Sequence, residues 1–240
     1  MGRFGEDLAA IYSSGRTTLA LDAANRLIDE LGRSPRDAGI VVALGCGIGE
    51  SAARLTADRL DVIGVDESQE MLDIARRNAP RARFVKGSWT EVDIPPCAAV
   101  LAADEVVNDA GDGITLRHVE RFFGRVYRAL WPGGLFLFDV AGPGRSPAGE
   151  SQVDIEMGDD WGLITETVED RRGTLTRSIT TLRKVDGGLR SAEGVQRQRL
   201  IPQAKVLAML RKAGFRARSF QGYNGERAAP GHSVFIARRP

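Results

Sequence analysis

A strand-like run that ends in three closely spaced glycines constrains this chain most. Residues 40–49 read Ile-Val-Val-Ala-Leu-Gly-Cys-Gly-Ile-Gly, and a helix-forming segment begins at Glu50. A buried parallel strand that turns sharply into a helix needs glycine where the backbone takes positive φ or comes close to a ligand. The free N–H groups at the start of such a helix favour an anionic or polar ligand over the turn. The run therefore predicts an α/β fold with a ligand at the end of its first strand.

A second apolar run supplies an acid for the same ligand. Residues 61–65 lead into Asp66, 17 positions after Gly49. In a nucleotide-binding βαβ unit, an acid at the tip of the second strand accepts hydrogen bonds from ribose hydroxyls. Dinucleotide folds have Gly-x-Gly-x-x-Gly with room for pyrophosphate, whereas Glu50 stands here at the sixth position. The spacing favours an adenosine-containing cofactor without phosphate, and the alternative for Asp66 is a turn residue or a helix cap.

Strands and helices alternate along the first part of the chain. Residues 1–34 form a predicted N-terminal helical segment, with helical periodicity over 5–31. Apolar runs then predict five strands, with an amphipathic helix over 115–130 between the last two; the strands are 40–44, 61–65, 82–86, 98–102 and 135–139. This alternation is typical of a parallel sheet that is covered on both faces.

Residues 150–201 change character. Three stretches in this range alternate polar and apolar residues with period two, and hairpin-type turns at 170–173 and 186–188 separate them. We interpret the range as an inserted antiparallel β cap. A helix over 203–212 and two last strands, 215–221 and 233–238, complete the predicted elements.

The glycine turn, Asp66 and residues 103–108, Ala-Asp-Glu-Val-Val-Asn, resemble the class I S-adenosylmethionine-dependent methyltransferases. The resemblance extends from about Phe4 to Arg239 and is closest to a bacterial group of small-molecule type. It implies a single domain over 1–240 with a Rossmann-like, doubly wound, mostly parallel seven-stranded sheet and a reversed final hairpin. It also implies S-adenosylmethionine as the cofactor and methyl transfer to a small-molecule acceptor.

The resemblance further implies roles for individual residues. Cofactor contacts are expected from Tyr12, Gly45, Cys46, Gly47, Gly49, Asp66, Glu67, Met71, Ser88, Trp89, Ala103 and Asp104. Asn108 and Trp161 are expected to contact the acceptor. Glu105 or His232 would serve as a general base if the acceptor arrives protonated. Methyl transfer requires no metal, and no residues with metal-ligand spacing are seen.

The residues themselves leave alternatives open. Asp104 and Glu105 also fit a solvated loop, His232 a structural role in a loop, and Tyr12 a core or surface position. Trp161 either lines the pocket or covers the sheet.

Two departures from the family pattern support a different function. Ala43 and Ser88 stand where the family usually has acids that bind the methionine ammonium and the adenine. A lost charge-assisted hydrogen bond costs about 1.5–3 kcal/mol, or roughly ten- to a hundredfold in affinity. The alternative is therefore a protein of this fold that binds the cofactor weakly or not at all, unless Asp104 compensates. A nicotinamide-dependent oxidoreductase is a further alternative, and Glu50 disfavours it.

Charge and composition limit the possible partners. Lys and Arg number 33 against 32 Asp and Glu, so no global field attracts nucleic acid or acidic membranes. The two cysteines form no disulfide framework, and neither a signal peptide nor an apolar stretch of membrane-spanning length is seen. We therefore expect a cytoplasmic protein without nucleic-acid or membrane partners, in which the exposed edges of the cap could pair in a homodimer.

Overall fold

A seven-stranded sheet forms the centre of the molecule. The structure is a computed structural model that describes residues 3–14, 19–32, 39–111, 113–224 and 229–240. The strands of the main sheet are β1 (Ile40–Leu44), β2 (Asp61–Asp66), β3 (Arg83–Lys86), β4 (Cys97–Ala102), β5 (Leu130–Ala141), β10 (Arg216–Phe220) and β11 (His232–Arg238). Their order is β10-β11-β5-β4-β1-β2-β3, with β1 to β5 parallel and β11 antiparallel to both its neighbours. This confirms the predicted doubly wound sheet with a reversed final hairpin.

Helices cover both faces of this sheet. They are α1 (Arg3–Ser13), α2 (Ala20–Leu31), α3 (Glu50–Ala57), α4 (Gln69–Asn78), α5 (Leu116–Ala129) and α6 (Gln203–Lys212). Successive strand residues point to opposite faces, so Phe136 and Phe138 pack with α5 and α6 while Leu135 and Leu137 pack with α2 and α3. All six residues of β4 are buried, as expected for a central strand of a parallel sheet. No helix among the described residues is long and apolar enough to cross a membrane.

The inserted cap has one strand more than the sequence predicts. Its antiparallel strands are β6 (Ser151–Met157), β7 (Trp161–Glu169), β8 (Thr174–Val185) and β9 (Gly188–Arg199), in that order. The prediction of three strands missed β6. This edge strand is exposed along nearly its whole length, so burial gives it no clear apolar face. The predicted hairpin turns after β7 and β8 are confirmed.

The N-terminal segment, for which helical periodicity over 5–31 is predicted, contains two separate helices, α1 and α2. Residues 1–2, 15–18 and 33–34 of the predicted segment lie outside the described residues. Helix α1 packs on two surfaces at once: Leu8 and Ile11 contact Leu163 and Ile179 of the cap, while Ala9 contacts the turn after β1 and helix α4. This helix therefore bridges the cap and the main sheet.

Candidate functional site

The turn after β1 opens toward a crevice at the carboxyl edge of the sheet. Gly45, Gly47 and Gly49 all have positive φ, at 60°, 51° and 84°. A Cβ on Gly45 would lie 2.3 Å from Cγ2 of Val106, and one on Gly49 would lie 2.9 Å from Cβ of Ala75. Among the described residues, a Cβ on Gly47 would meet nothing within 4 Å. Two glycines thus permit close packing, and the third presents bare backbone to open space, as a bound ligand requires.

Asp66, at the tip of β2, holds this turn in place. Its Oδ2 accepts the N–H of Gly47 at 2.8 Å, and its Oδ1 accepts the N–H of Ser68 at 2.9 Å. Burial raises the pKa of the Asp66 carboxyl. Each carboxylate oxygen has a second lone pair, so both can still accept a hydroxyl. The N-cap of α4 is Ser68, whose Oγ accepts the N–H of Met71 at 3.2 Å.

The crevice lies where the sheet changes direction. Strand β1 has β2 on one side and β4 on the other, so the turns after β1, β2 and β4 meet at one edge. In open α/β sheets, ligands bind outside the carboxyl ends of the strands at this switch point. Tyr12 and Met71 each pack against the apolar cluster that contains Ile48 of the glycine turn, whereas Glu67 is exposed. The donors and the bare backbone here fit a polar nucleoside cofactor.

Two predicted cofactor contacts face the protein interior instead. Trp89 is buried, and its ring packs edge-on against Phe122 with the ring centroids 5.0 Å apart. This position does not allow the predicted stacking on an adenine, because the ring belongs to the core. The thiol of Cys46 faces Gly64, and burial raises its pKa. Cys46 therefore contributes backbone, not a reactive thiol, to the turn.

The segment after β4 is conformationally strained. Asp104 and Glu105 are consecutive non-glycine residues with φ of 64° and 61°. Such conformations cost roughly 1–3 kcal/mol each and occur where the surroundings fix them, often at functional sites. Here Oδ1 of Asp139 accepts the N–H of Glu105 at 2.9 Å, and Oδ1 of Asp104 accepts the N–H of Leu19 at 3.1 Å. Ala103, next to this pair, is buried in the core.

Glu105 is the centre of a polar cluster between the sheet and the cap. Its carboxylate contacts the guanidinium of Arg145, that of Arg177 at 3.2 Å, and Nε2 of Gln198 at 3.1 Å. Nδ1 of His232 lies 3.6 Å from Oε1. The fold thus brings Glu105 and His232 together. The sequence gives no sign of the two arginines, which reach the site through cap and loop pairing.

Glu169 positions one of these arginines. Its carboxylate accepts the N–H groups of Gly144, Arg145 and Ser146, which fixes the loop after β5. Burial, together with the positive charge of Arg177, lowers the pKa of Arg145 to about 10. A charge at this depth is stable because carboxylates accompany it.

Asn108 has a structural role in place of the predicted contact with the acceptor. Its Nδ2 donates to the carbonyls of Ala141 at 2.8 Å and Arg199 at 2.6 Å, and its Oδ1 accepts the N–H of Ala141 at 2.8 Å. The amide is fully buried, so backbone groups use its hydrogen-bonding capacity. Asn108 therefore joins β5 of the main sheet to β9 of the cap.

A cavity of about 900 Å³ lies beside this cluster, under the cap. Its roof includes one cross-strand row in which Gln152 pairs with Thr167, Thr167 with Arg177, and Arg177 with Gln196. Tyr12, Asp104, Glu105 and His232 also line the cavity. Trp161 is not among the described residues that line it, because its ring packs over Gly158 in the cluster with α1.

Ser88 and Ala43 occupy the two positions where the resemblance leads one to expect an acid. Oγ of Ser88 lies 2.9 Å from Oγ1 of Thr90, at the end of β3. Ala43, where the family has an acid, is buried between Gly64 and Leu101. Among the described residues, no group of three or more potential metal ligands is placed to hold an ion.

Comparison with known proteins agrees with this geometry. Residues 41–134 match the family model of a methyltransferase domain. The N-methyltransferase FrzE of Cladobotryum sp is 30% identical over 57% of this chain and 50% of its own length. A trans-aconitate 2-methyltransferase of Rhodopseudomonas palustris (strain HaA2) is 38% identical over 35% of this chain and 32% of its own length. The chain thus spans half or less of the length of these relatives.

Solved structures share the whole fold. The CcbJ methyltransferase from Streptomyces caelestis superposes with a TM-score of 0.79 over 98% of this chain and 97% of its own, at 22% identity. A methyltransferase from Clostridium acetobutylicum ATCC 824, described as S-adenosylmethionine-dependent, gives 0.79 over 96% and 97%, at 14% identity. The glycine turn, the domain match and the shared fold agree: residues 41–134 are similar to a methyltransferase domain, and the chain has the fold of these methyltransferases.

Proposed function

We propose that this protein binds S-adenosylmethionine in the crevice at Gly47 and Asp66 and transfers its methyl group to a small molecule in the adjoining cavity. The observation that carries the proposal is the open face of Gly47 beside the Asp66 carboxylate, next to a cavity of about 900 Å³. When bound, the cofactor supplies an electrophilic methyl group on a sulfonium. The protein's own task is to align the acceptor and exclude water.

The cavity supports an acceptor of small-molecule size. Ligand pockets are typically about 300–1,000 Å³, which includes the volume found here. The relatives named for N-methylation and for trans-aconitate methylation support the same class of acceptor. The near-zero net charge disfavours nucleic acid as the partner.

The two predicted catalytic residues have different places in this proposal. Glu105 lines the cavity and is anchored by Arg145 and Arg177. Burial lowers the pKa of His232 to about 4, so its imidazole is neutral near pH 7. We assign His232 to holding Glu105 and Glu105 to contact with the acceptor.

Asp104 is our candidate for the acid that Ala43 does not supply. It follows β4, and Val106 of the same segment packs on Gly45 of the glycine turn. We therefore assign its carboxylate to the methionine end of the crevice, where it would replace the missing partner of the ammonium group.

Isothermal titration calorimetry with S-adenosylmethionine tests the cofactor site. We expect micromolar affinity. Absence of heat at millimolar ligand would favour the alternative function, a protein of this fold that has lost the cofactor.

Replacement of Asp66 is the first prediction. Asp66→Ala removes the proposed acceptor for the ribose hydroxyls and the partner of the Gly47 N–H, so the dissociation constant should rise about tenfold or more. Asp73→Ala is the matched control, because Asp73 lies on the exposed surface of α4 and pairs with Arg76. An unchanged dissociation constant for Asp66→Ala would remove this residue from the site.

We also propose a cytoplasmic homodimer that forms through β6. Val153, Ile155 and Met157 are 58%, 64% and 67% exposed on one face of this edge strand. An edge strand with unpaired backbone groups and apolar side chains favours pairing with a second copy. The two buried free cysteines fit a reducing compartment.

Ile155→Lys tests this interface. Analytical ultracentrifugation should show a dimer for the wild-type chain and a monomer for the variant, because a lysine would bury a charge at the contact. Arg171→Glu, on the turn after β7, is the control charge change. A monomeric wild-type chain at micromolar concentration would refute the interface.

A further inference from the structure

Among the described residues, three buried polar atoms near Glu105 lack a hydrogen bond of ordinary geometry. They are Oδ2 of Asp139, Nε2 of His232 and the hydroxyl oxygen of Tyr223, which interacts with the Asp139 carboxyl. Asp139 is fully buried near the end of β5, and His232 begins β11, the strand paired with it. Oδ2 of Asp139 lies 3.6 Å from Nε2 of His232, and Nδ1 of the same ring lies 3.6 Å from Oε1 of Glu105. The imidazole therefore stands between two carboxyl groups.

The charged groups around this chain of contacts determine its protonation. Asp139 faces His232, Tyr223, Asp104 and the N–H of Glu105, and no Lys or Arg among the described residues forms an ion pair with it. Burial, with the charge of Asp104 in addition, raises the pKa of Asp139 well above its ordinary value. Both effects favour a neutral carboxyl, since a buried carboxylate needs a cation.

The imidazole is neutral as well. His232 faces Glu105, Asp139, Arg145 and Asp104, and burial and Arg145 together lower its pKa to about 4. A neutral imidazole has one donor and one acceptor nitrogen. If Nδ1 were the acceptor, its lone pair would face the Glu105 carboxylate, which two guanidinium groups accompany. Two acceptors would then repel each other, so Nδ1 must be the donor.

We propose that Asp139 is a protonated carboxyl that donates to Nε2 of His232, fixing the Nδ1–H tautomer, which in turn donates to Glu105. Asp139 is then a positioning residue: its Oδ1 holds the strained backbone of Glu105, and its Oδ2 orients the Glu105 side chain through the imidazole. The catalytic use of this arrangement rests on the proposed function, but the protonation states do not. Both separations are 3.6 Å, just beyond hydrogen-bond distance, so the two donations need a small approach of the imidazole to the carboxyl groups, as is common at sites whose ligands are not yet bound.

Nitrogen-15 NMR of the full chain labelled at histidine tests the proposal directly. The chain has only two histidines, so His118 serves as a reference for His232. Nδ1 of His118 accepts the N–H of Thr115 at 3.1 Å, so His118 should carry its proton on Nε2. We expect the two rings to show opposite tautomers near neutral pH, with His232→Gln assigning the signals. An imidazolium or an Nε2–H tautomer at His232 would overturn the proposal.

Substitutions at Asp139 separate donation from packing. Asp139→Asn keeps an oxygen for the N–H of Glu105 and an N–H₂ donor for Nε2, so His232 should retain the Nδ1–H tautomer. Asp139→Leu removes the donor to Nε2 but leaves Glu105 facing Nδ1, so the Nδ1–H form should remain the major one while the fraction of the Nε2–H form rises above that of the wild type. Loss of the Nδ1–H form in a folded Asn variant would contradict the proposal, even if the Leu variant does not fold. These spectra need neither cofactor nor acceptor, so their outcome is independent of methyl transfer.

Discussion

Asp139 and His232 show how burial acts in opposite directions on an acid and a base. Between about pH 4 and its ordinary value of 6.5, His232 binds a proton in the unfolded chain but not in the folded protein. This residue therefore makes the folded state less stable as pH falls. Above its ordinary value of 3.8, Asp139 keeps a proton in the folded protein that the unfolded chain has lost, so its contribution favours folding at low pH and is lost as pH rises. Within the shared window the two effects oppose each other.

Removing either residue should reveal the effect of the other. Asp139→Asn should make the free energy of unfolding decrease, relative to wild type, as pH falls from about 6.5 to 4, because the His232 effect is no longer opposed. His232→Gln should produce the reverse slope. Each slope reaches at most about 1.4 kcal/mol per pH unit. Urea unfolding across this range measures both, and parallel curves for the three proteins would contradict the assigned protonation states.

In the glycine turn after β1, Gly45 allows close packing, whereas Gly47 faces the space proposed for the ligand. A Cβ on Gly45 would clash with Val106, whereas one on Gly47 would have no neighbour within 4 Å in the part of the chain that the structure describes and would enter the crevice. The two positions have similar φ, 60° and 51°, so the backbone strain of a substitution is similar at both. Differences between their variants must come from the surroundings.

Alanine at each glycine should therefore have a different consequence. Gly45→Ala adds a clash with Val106 and should lower the free energy of unfolding by about 1–3 kcal/mol beyond the strain. Gly47→Ala should cost only the strain, about 1 kcal/mol, but weaken S-adenosylmethionine binding because its methyl group enters the ligand space. Gly133→Ala, with a φ of 81° and open space at the far end of the sheet, is the control. Equal cofactor affinity for the Gly45 and Gly47 variants, measured by calorimetry, would refute this division.

These elements also show what sequence can and cannot predict. Periodicity and glycine spacing predict the parallel strands and the positive-φ turn beside Asp66, because these depend on local geometry, whereas the reversed final hairpin follows from the family resemblance. Edge strand β6 escapes prediction because it buries neither face. The contacts of Arg145 and Arg177 with Glu105 could not be predicted from the sequence. Arg177 reaches Glu105 through the strand register of the cap, and Arg145 through a loop that Glu169 holds, and no local sequence pattern encodes either. Family position suggests binding roles for Trp89 and Asn108, but it does not reveal that core packing and backbone carbonyls occupy them.

At the scale of the whole molecule, α1 packs between the cap and the main sheet and contacts both. Asp7 of this helix is fully buried and pairs with Arg190, and it lies 3.7 Å from Nη1 of Arg183. Phe4 rests on the cap at Gly194, where any larger residue would clash with its ring. On the other side of the helix, Ala9 contacts Ile48 of the glycine turn.

Asp7→Asn should loosen this attachment. Two arginines would lose their carboxylate, at a cost of about 1–3 kcal/mol, and most of that loss should appear as faster opening of α1. Hydrogen exchange followed by mass spectrometry should show reduced protection in residues 3–14 and in the facing cap strands. Glu6→Gln, a neighbouring exposed acid, is the control. Unchanged protection in the Asp7 variant would show that apolar contacts alone hold the helix.

The position of α1 affects how ligands would enter and leave the crevice and the cavity. Tyr12, on this helix, packs beside the glycine turn and also lines the acceptor cavity. Helix α1 thus borders both the crevice at the glycine turn and the cavity under the cap. If the proposed function holds, an outward movement of α1 would open the crevice and the cavity at the same time, so cofactor and product could leave together.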